Sequence, residues 1–468
     1  MKKIIQTFCL LLLGTLVQAQ LNWSDLSAGA QFSAAVRSDN TLWTWGFNGN
    51  GQLGQGNNLS LNEITQVGTE NVWIDAEAGA VHLLVKKDDG SIWGVGGNGV
   101  YQLGQGSTED IQMLVQIGTD TDWQSIAAGQ GHSLAIKTDG TLWSWGFNFN
   151  GQCGDGTTTD VVEPAQVGES SDWVSISAGG GHSLAIKADG TLWAWGANFG
   201  GQLGIGNNQE TLTPTQVGED TDWVEVKAGF EFSLLRKSDE SIWSCGFNGN
   251  GQLGLGNTLN VSIPTQIGDE SWAGIETGTA YAFAISPDGE LFGWGFNGFG
   301  QLGIGSSNSN VLTPSAIVSE TAWNLVSASE GLVTANGLFG YHTIGLKGQN
   351  IEICGTGLND QGQLGIEGVA SLSDFSCEAG ILLSNSESAL YQTELKFYPT
   401  PSSGNLTIES NIGPAVVYVV DMTGRMVFQK EIVNTIENLD LHFLPSGMYN
   451  LLLANDQIRL SEKIVLAR

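Results

Sequence analysis

The chain has 468 residues, 66 glycines against 9 prolines, and a formal charge of −31. That length holds two or three domains, and the glycine excess signals turns and close backbone contacts rather than collagen or a stiff linker. Between Gln20 and Leu390 stand 9 basic and 40 acidic residues. The balance excludes nucleic acid and anionic membrane as main partners, since both require basic surface.

Residues 1–19 read as a secretory signal. Lys2 and Lys3 form the charged start, Ile4 to Val17 the apolar core, and Val17-Gln18-Ala19 the small-residue cleavage site. The apolar run is too short to span a membrane comfortably, and no later segment qualifies. Cys9 lacks a lipobox-like context, so no lipid anchor is expected there.

From Gln20 onward the chain repeats itself. WGFNGNGQLG closes at Gly54 and returns, with changes, in segments closing at Gly104, Gly154, Gly204, Gly254, Gly303 and Gly365. Seven copies near fifty residues mark a repeat architecture. Within the fourth copy, WVSISAG from Trp173 alternates apolar and polar residues and predicts a strand. HSLAIK, His182 to Lys187, predicts a second strand. Asp189-Gly190 reads as a two-residue hairpin turn, and TLWAWG as a third strand. Pro214 to Gly218 reads as a short outer strand, where proline is tolerated. Four short antiparallel strands, seven times over and without helical periodicity, predict an all-β chain whose residues 20–384 form a seven-bladed β-propeller. All 16 tryptophans fall at three equivalent positions of the repeat, as expected of rings filling the space between twisted blades.

Four cysteines remain after the signal. Cys153 replaces a repeat leucine, while Cys245 and Cys354 replace a repeat tryptophan. Equivalent positions in separate blades stand too far apart for a bridge. Only a Cys354–Cys377 pair escapes that objection, and the expectation is buried thiols. His82, His132, His182 and His342 share one repeat position with Phe32, Phe232 and Tyr281. Exchange with phenylalanine and tyrosine predicts packing rather than metal ligation, and neighbouring copies in such a ring lie too far apart to share an ion. The Asn/Gly loops lack the regular aspartates of calcium sites. No metal or cofactor is expected, and no linear catalytic motif stands out. Acidic loops before the opening tryptophans share one rim with Arg37, Lys86, Lys87, Lys137, Lys187, Arg236, Lys237 and Lys347. A solvated, partly self-neutralised face is expected there.

The seventh copy gains SEGLVTANGLFGY between Ala328 and His342. Its apolar residues predict either a plug in the ring or a binding loop. After Gly365 part of the chain is expected to supply the last strand that closes the ring, in a blade the sequence does not identify. Residues 385–394 read as a linker, and 395–468 as a small β-sandwich of about seven strands without tryptophan.

Two resemblances follow from these motifs. AGQGHSLAIKTDGTLWSWGFNFNGQCGDG, Ala128 to Gly156, and its counterpart from Ala178 resemble the regulator-of-chromosome-condensation-type repeat propeller family. The resemblance implies seven blades and protein binding through the loop-bearing faces. It carries a candidate partner-binding set onto the turns that crowd one channel mouth: Gln31, Val81, Gln130, Phe230, Glu231, Tyr281 and Tyr341, joined by Leu338 and Phe339 of the insertion. The segments around Tyr398-Pro-Thr-Pro401, Asp421 to Arg425, Ser446 to Tyr449 and Lys463 to Arg468 resemble the sorting domain of type IX secretion. That implies passage through both membranes of a Bacteroidota-like cell. The expectation is a secreted or surface-displayed protein-binding propeller rather than an enzyme. The alternative is a polysaccharide-binding or polysaccharide-active propeller with a glycan partner.

Overall fold

The computed structural model describes residues 22–378 and 395–467, apart from 308, 318–322, 330, 335–336, 349–351, 367, 399–401, 403–404, 411–414, 422–425, 433–435 and 455–458. The expected signal segment 1–19 and the expected linker 385–394 lie outside the described residues. The chain divides into two compact units, 1–380 and 381–468.

The first unit is a seven-bladed propeller of four-stranded antiparallel sheets, each in chain order. Blade one runs Trp23–Ala28, Phe32–Arg37, Leu42–Gly46, Leu61–Gln66; blade seven runs Trp323–Ala328, His342–Lys347, Glu352–Leu358, Ser371–Glu378. The segment after Gly365 therefore completes blade seven itself, and no strand is exchanged to close the ring. Closure is by side chains and single hydrogen bonds. Ala28 N donates to Ser327 Oγ at 3.0 Å, and Trp45 Nε1 donates to the Gln363 carbonyl at 2.9 Å.

Two local features differ from the sequence expectation. The inner strands are bulged: Trp173 pairs with Lys187 but Ser175 with Ile186. The extra residue, Val174 here and Ile74 or Val224 elsewhere, turns its apolar side chain to solvent. The Asp-Gly turn spans three residues rather than two, because Lys187 N donates to Thr191 O across it and Gly190 N donates to Lys187 O. Gly190 adopts φ +78, the left-handed closure of a three-residue hairpin. Asn40 and Glu240 hold that conformation in blades one and five, at φ 62 and 69.

The core lies between blades. Leu134, Ile136, Leu142 and Val167 of blade three pack against Trp173, Ala185 and Trp195 of blade four. Trp173 meets Trp193 edge-on at 5.8 Å between centroids. Tryptophans two apart thus face the same neighbour, as the strand period requires.

The expectation of buried thiols holds for Cys153 and Cys245. It fails for the other two cysteines, because the blade-seven register sets Cys354 opposite Cys377 and the pair is disulfide-bonded.

The second unit is a small β-sandwich. A three-stranded sheet (Leu395–Tyr398, Asn405–Ser410, Ile436–Asp440) and a four-stranded sheet (Ala415–Asp421, Met426–Ile432, Gly447–Ala454, Arg459–Leu466) share one core. Leu406, Ile408 and Leu439 of the first meet Val417, Val419, Leu451 and Ile464 of the second. Among the described residues no helix is long and apolar enough to cross a membrane.

Candidate functional site

Each blade sends two connections to the same end of the propeller: the Ala-Gly turn between its first two strands, and the Asn/Gly loop after its third. They are tied together, since Phe47 N donates to Gln31 O at 2.9 Å and Phe247 N to Glu231 O at 2.9 Å. At the channel mouth the turns also touch each other. Ala80 N donates to Gly129 O and Gln130 N to Gly179 O. A Cβ placed on Gly79, Gly129 or Gly179 would fall 2.4 to 2.6 Å from the next blade's glycine carbonyl. Only glycine fits that approach.

Most polar groups of the loop motif are used internally, although Nε2 of Gln152 and of Gln301 is buried without a partner. Asn148 is fully buried; its Oδ1 accepts from Cys153 N at 2.9 Å, and its Nδ2 donates to Thr157 O and Thr159 O. Gln152 Oε1 accepts from Asn150 N at 2.9 Å. The same side chains recur, buried, in the other blades. These loops are stitched by their own amides.

The histidines pack between blades. His132 Nε2 meets Ser183 Oγ of the next blade at 2.9 Å, and that hydroxyl donates to the Gln152 carbonyl. The serine's hydrogen is thereby committed, so Nε2 carries the proton and donates. His82–Ser133, His182–Ser233 and His342–Ser33 repeat the arrangement. Burial pushes all four histidines down to about 3, so they are neutral at physiological pH.

The opposite rim carries its charges in pairs. Lys137 Nζ lies 2.6 Å from Asp120 and 3.1 Å from Asp122, over the rings of Trp123 and Trp143 at 4.8 and 4.7 Å. Lys87, Lys187 and Lys237 are placed alike. Each cation is shared between one or two carboxylates and an aromatic pair.

A charged belt lines the channel, which sequence reading missed. Each inner strand is a sheet edge, and in several blades side chains of the preceding blade cap its free N–H groups. Asp25 Oδ2 accepts from Ala76 N at 2.8 Å, and Ser27 Oγ from Ala78 N at 2.9 Å. Glu77, Lys227 and Glu276 line the same cavity of about 160 Å³, with Lys227 Nζ 2.6 Å from Glu276. Burial, then the charge of Asp25, pushes the nearby Asp75 up to about 6. Burial and then Asp75 raise Glu77. Burial opposes the charge of Lys227, but Glu276 and Glu77 outweigh it and leave that lysine raised. The signal was available: positions three and five of the inner strands read Asp25, Asp75, Glu225 and Glu77, Lys227, Glu276 where other blades carry small or apolar residues.

Of the expected partner-binding set, Gln31, Val81, Gln130, Phe230 and Glu231 lie half-buried in the mouth turns. Phe230 covers the blade-four turn at Gly180. Tyr281 is fully buried and donates from its hydroxyl to the His342 carbonyl at 2.8 Å. It occupies the histidine position and packs between blades, so it is removed from the contact set. Tyr341 is also buried, stacked on Phe299 at 5.2 Å. The insertion forms a hairpin, Leu332–Thr334 with Gly337–Phe339; the side chains of Leu338 and Phe339 lie outside the description. Missing from the expectation were Phe149 and Phe199, 69% and 65% exposed on the loops of blades three and four. Their signal is a departure from the glycine of the equivalent Gly49, Gly99 and Gly249.

Comparison with known proteins bears on this geometry. The model of the RCC1-like domain matches residues 24–335, and that of the secretion system C-terminal sorting domain matches 396–467. No curated protein matches the chain. Among solved structures, human WBSCR16 is 22% identical with a TM-score of 0.60, covering 66% of this chain and 84% of its own. Prp20p of Saccharomyces cerevisiae is 20% identical with a TM-score of 0.60, over 69% and 82%. Yeast RCC1 (Prp20) in its Kap60-bound form is 18% identical with a TM-score of 0.64, over 76% and 84%. At these identities the likeness concerns the fold.

Proposed function

Because the chain belongs to the RCC1-like domain family and carries a secretion-system sorting domain behind its propeller, we propose that it is an exported protein whose propeller binds another protein through the turn face. The observation that carries the reading is how this face uses its side chains. Its recurrent amides and histidines are buried and hold loops and blades together, while apolar side chains stand outward. Such a face is built for contact rather than for chemistry. Prp20p, a yeast propeller of this fold, was characterised for binding to Gsp1p and histones, which supports the class of partner and not its identity. The polysaccharide alternative gains no supporting observation. The sorting domain supports export by the type IX route, to the surface or the medium.

The export half is tested by deleting residues 391–468. The truncated chain should accumulate as folded propeller inside the outer membrane, because address and core are separate units. Surface delivery equal to that of the full chain would refute the assignment.

A further inference from the structure

The turn face is not uniform, and apart from the blade-seven insertion one group of its departures from the repeat falls on consecutive blades. The loop position that is glycine in blades one and five is Phe149 in blade three and Phe199 in blade four. In blade two the position two residues further on, glycine in the six other loops, is Tyr101, held at φ 63. A tyrosine in the left-handed region is strained, and such strain persists where something requires the side chain. The same three blades depart from the repeat in charge. Their loops end in Glu109-Asp110, Asp160 and Glu210, where blades one, five and six carry serine or asparagine.

The two departures are joined through Asn148, which lies between Phe147 and Phe149. Its N–H donates to Asp160 and its Nδ2 to Asp155, both at 3.0 Å. The rings of Phe147 and Phe149 stack at 6.3 Å. Asp110 likewise accepts from Asn98 N at 3.0 Å and from Asn50 Nδ2 of the preceding blade at 2.8 Å. Carboxylates thus stand on the loops that carry the exposed rings of Phe149 and Phe199, and on the blade-two loop that carries the half-buried Tyr101.

What this sector lacks is a cation. Of the nine basic residues between Gln20 and Leu390, eight stand at the opposite rim end of the second strands and Lys227 lies in the channel. On that rim, aromatic pairs and carboxylates enclose a lysine. On the turn face the same two ingredients are presented outward with no basic residue of the propeller among them.

We propose that this sector, over blades two to four, docks a lysine- or arginine-bearing segment of the partner protein, its cations seated on Phe149 and Phe199 and balanced by Asp155, Asp160 and Glu210. The proposal rests on the protein-binding reading and names the chemistry of the partner. Negative potential draws the segment in, and the rings supply cation–π contact that carboxylates alone do not.

The test uses the full chain and two fluorescent peptides, an Arg-Gly repeat and a Glu-Gly repeat of equal length, read by anisotropy. The basic peptide should bind, more weakly as salt rises from about 50 to about 300 mM, and the acidic one should not. F149S together with F199S, which leaves net charge unchanged, should weaken binding roughly tenfold. Y101G should raise the melting temperature through relief of the left-handed strain, yet weaken the peptide. Equal affinity of wild type and F149S/F199S would reduce the effect to general electrostatics and overturn the proposal. So would absence of basic-peptide binding. If a photo-crosslinker at Val81 still traps a cellular protein in either case, the protein-binding reading survives alone; if it traps none, that reading falls as well.

Discussion

The backbone carbonyl of Gln363 accepts the indole N–H of Trp45 at 2.9 Å, across 318 residues of chain. Ser33 Oγ donates to the same carbonyl at 2.8 Å, joining blade seven to blade one without a shared strand. The arrangement recurs at Gln102 with Trp145 and Ser133, and at Gln152 with Trp195 and Ser183. Ring closure is therefore one more copy of the ordinary contact between neighbours.

Trp195 tests that contact at an interior boundary. It is fully buried against blade three. Trp195→Ala should lower unfolding free energy by about 3 to 5 kcal/mol in denaturant titration, from lost burial and the cavity left behind. A change below about 1 kcal/mol would show that the blades are not held by these rings.

How much of this was legible depends on what the repeat encodes. Blade number, strand order and the packing role of the histidines all follow from residue types recurring at fixed spacing. Even the serine partner is written in the sequence: Ser133, Ser183, Ser233 and Ser33 follow blades with histidine, whereas Leu83 and Ala282 follow Phe32 and Phe232. The Cys354–Cys377 bond was not legible, since it depends on the register of an outer strand whose motif had faded. The channel charges were hidden in another way. The bulge after each opening tryptophan breaks the alternation used to decide which side chains face inward. For the candidate face, turn positions could be read but burial could not, so Tyr281 was misplaced and Phe149 overlooked.

The disulfide ties the outer strand of blade seven to the strand beside it. Its loop of 23 residues gives a loop-closure contribution of roughly 3 kcal/mol. Cys354→Ser, or reduction of the native chain, should therefore lower the denaturant midpoint, and reduction should have no further effect on the variant. An unchanged midpoint after verified reduction would contradict this placement.

Two variants should show opposite pH dependence. Asp75 is raised from 3.8 to about 6 by burial and by Asp25, so its favourable contribution is complete below about pH 4 and is lost as pH rises through about 6. Asp75→Asn should gain stability relative to wild type between pH 4 and pH 7. His132 is lowered by burial from 6.5 to about 3, so its contribution is present above pH 6.5 and is lost as pH falls toward 3. His132→Phe, with the residue blades one and five carry there, should gain relative to wild type as pH falls. Melting temperatures across pH 4 to 8 report both slopes, and parallel curves for the three proteins would refute the assignments.

The central claim is that the turn face, not the charged rim, meets the partner. Photo-crosslinking amino acids placed singly at Val81 and Gln130 on the turn face, and at Asp139 and Asp189 on the rim, test it in cells that export the full chain. The account predicts one discrete protein adduct shared by the two turn-face positions and none from the rim. A discrete adduct from the rim positions alone would contradict it.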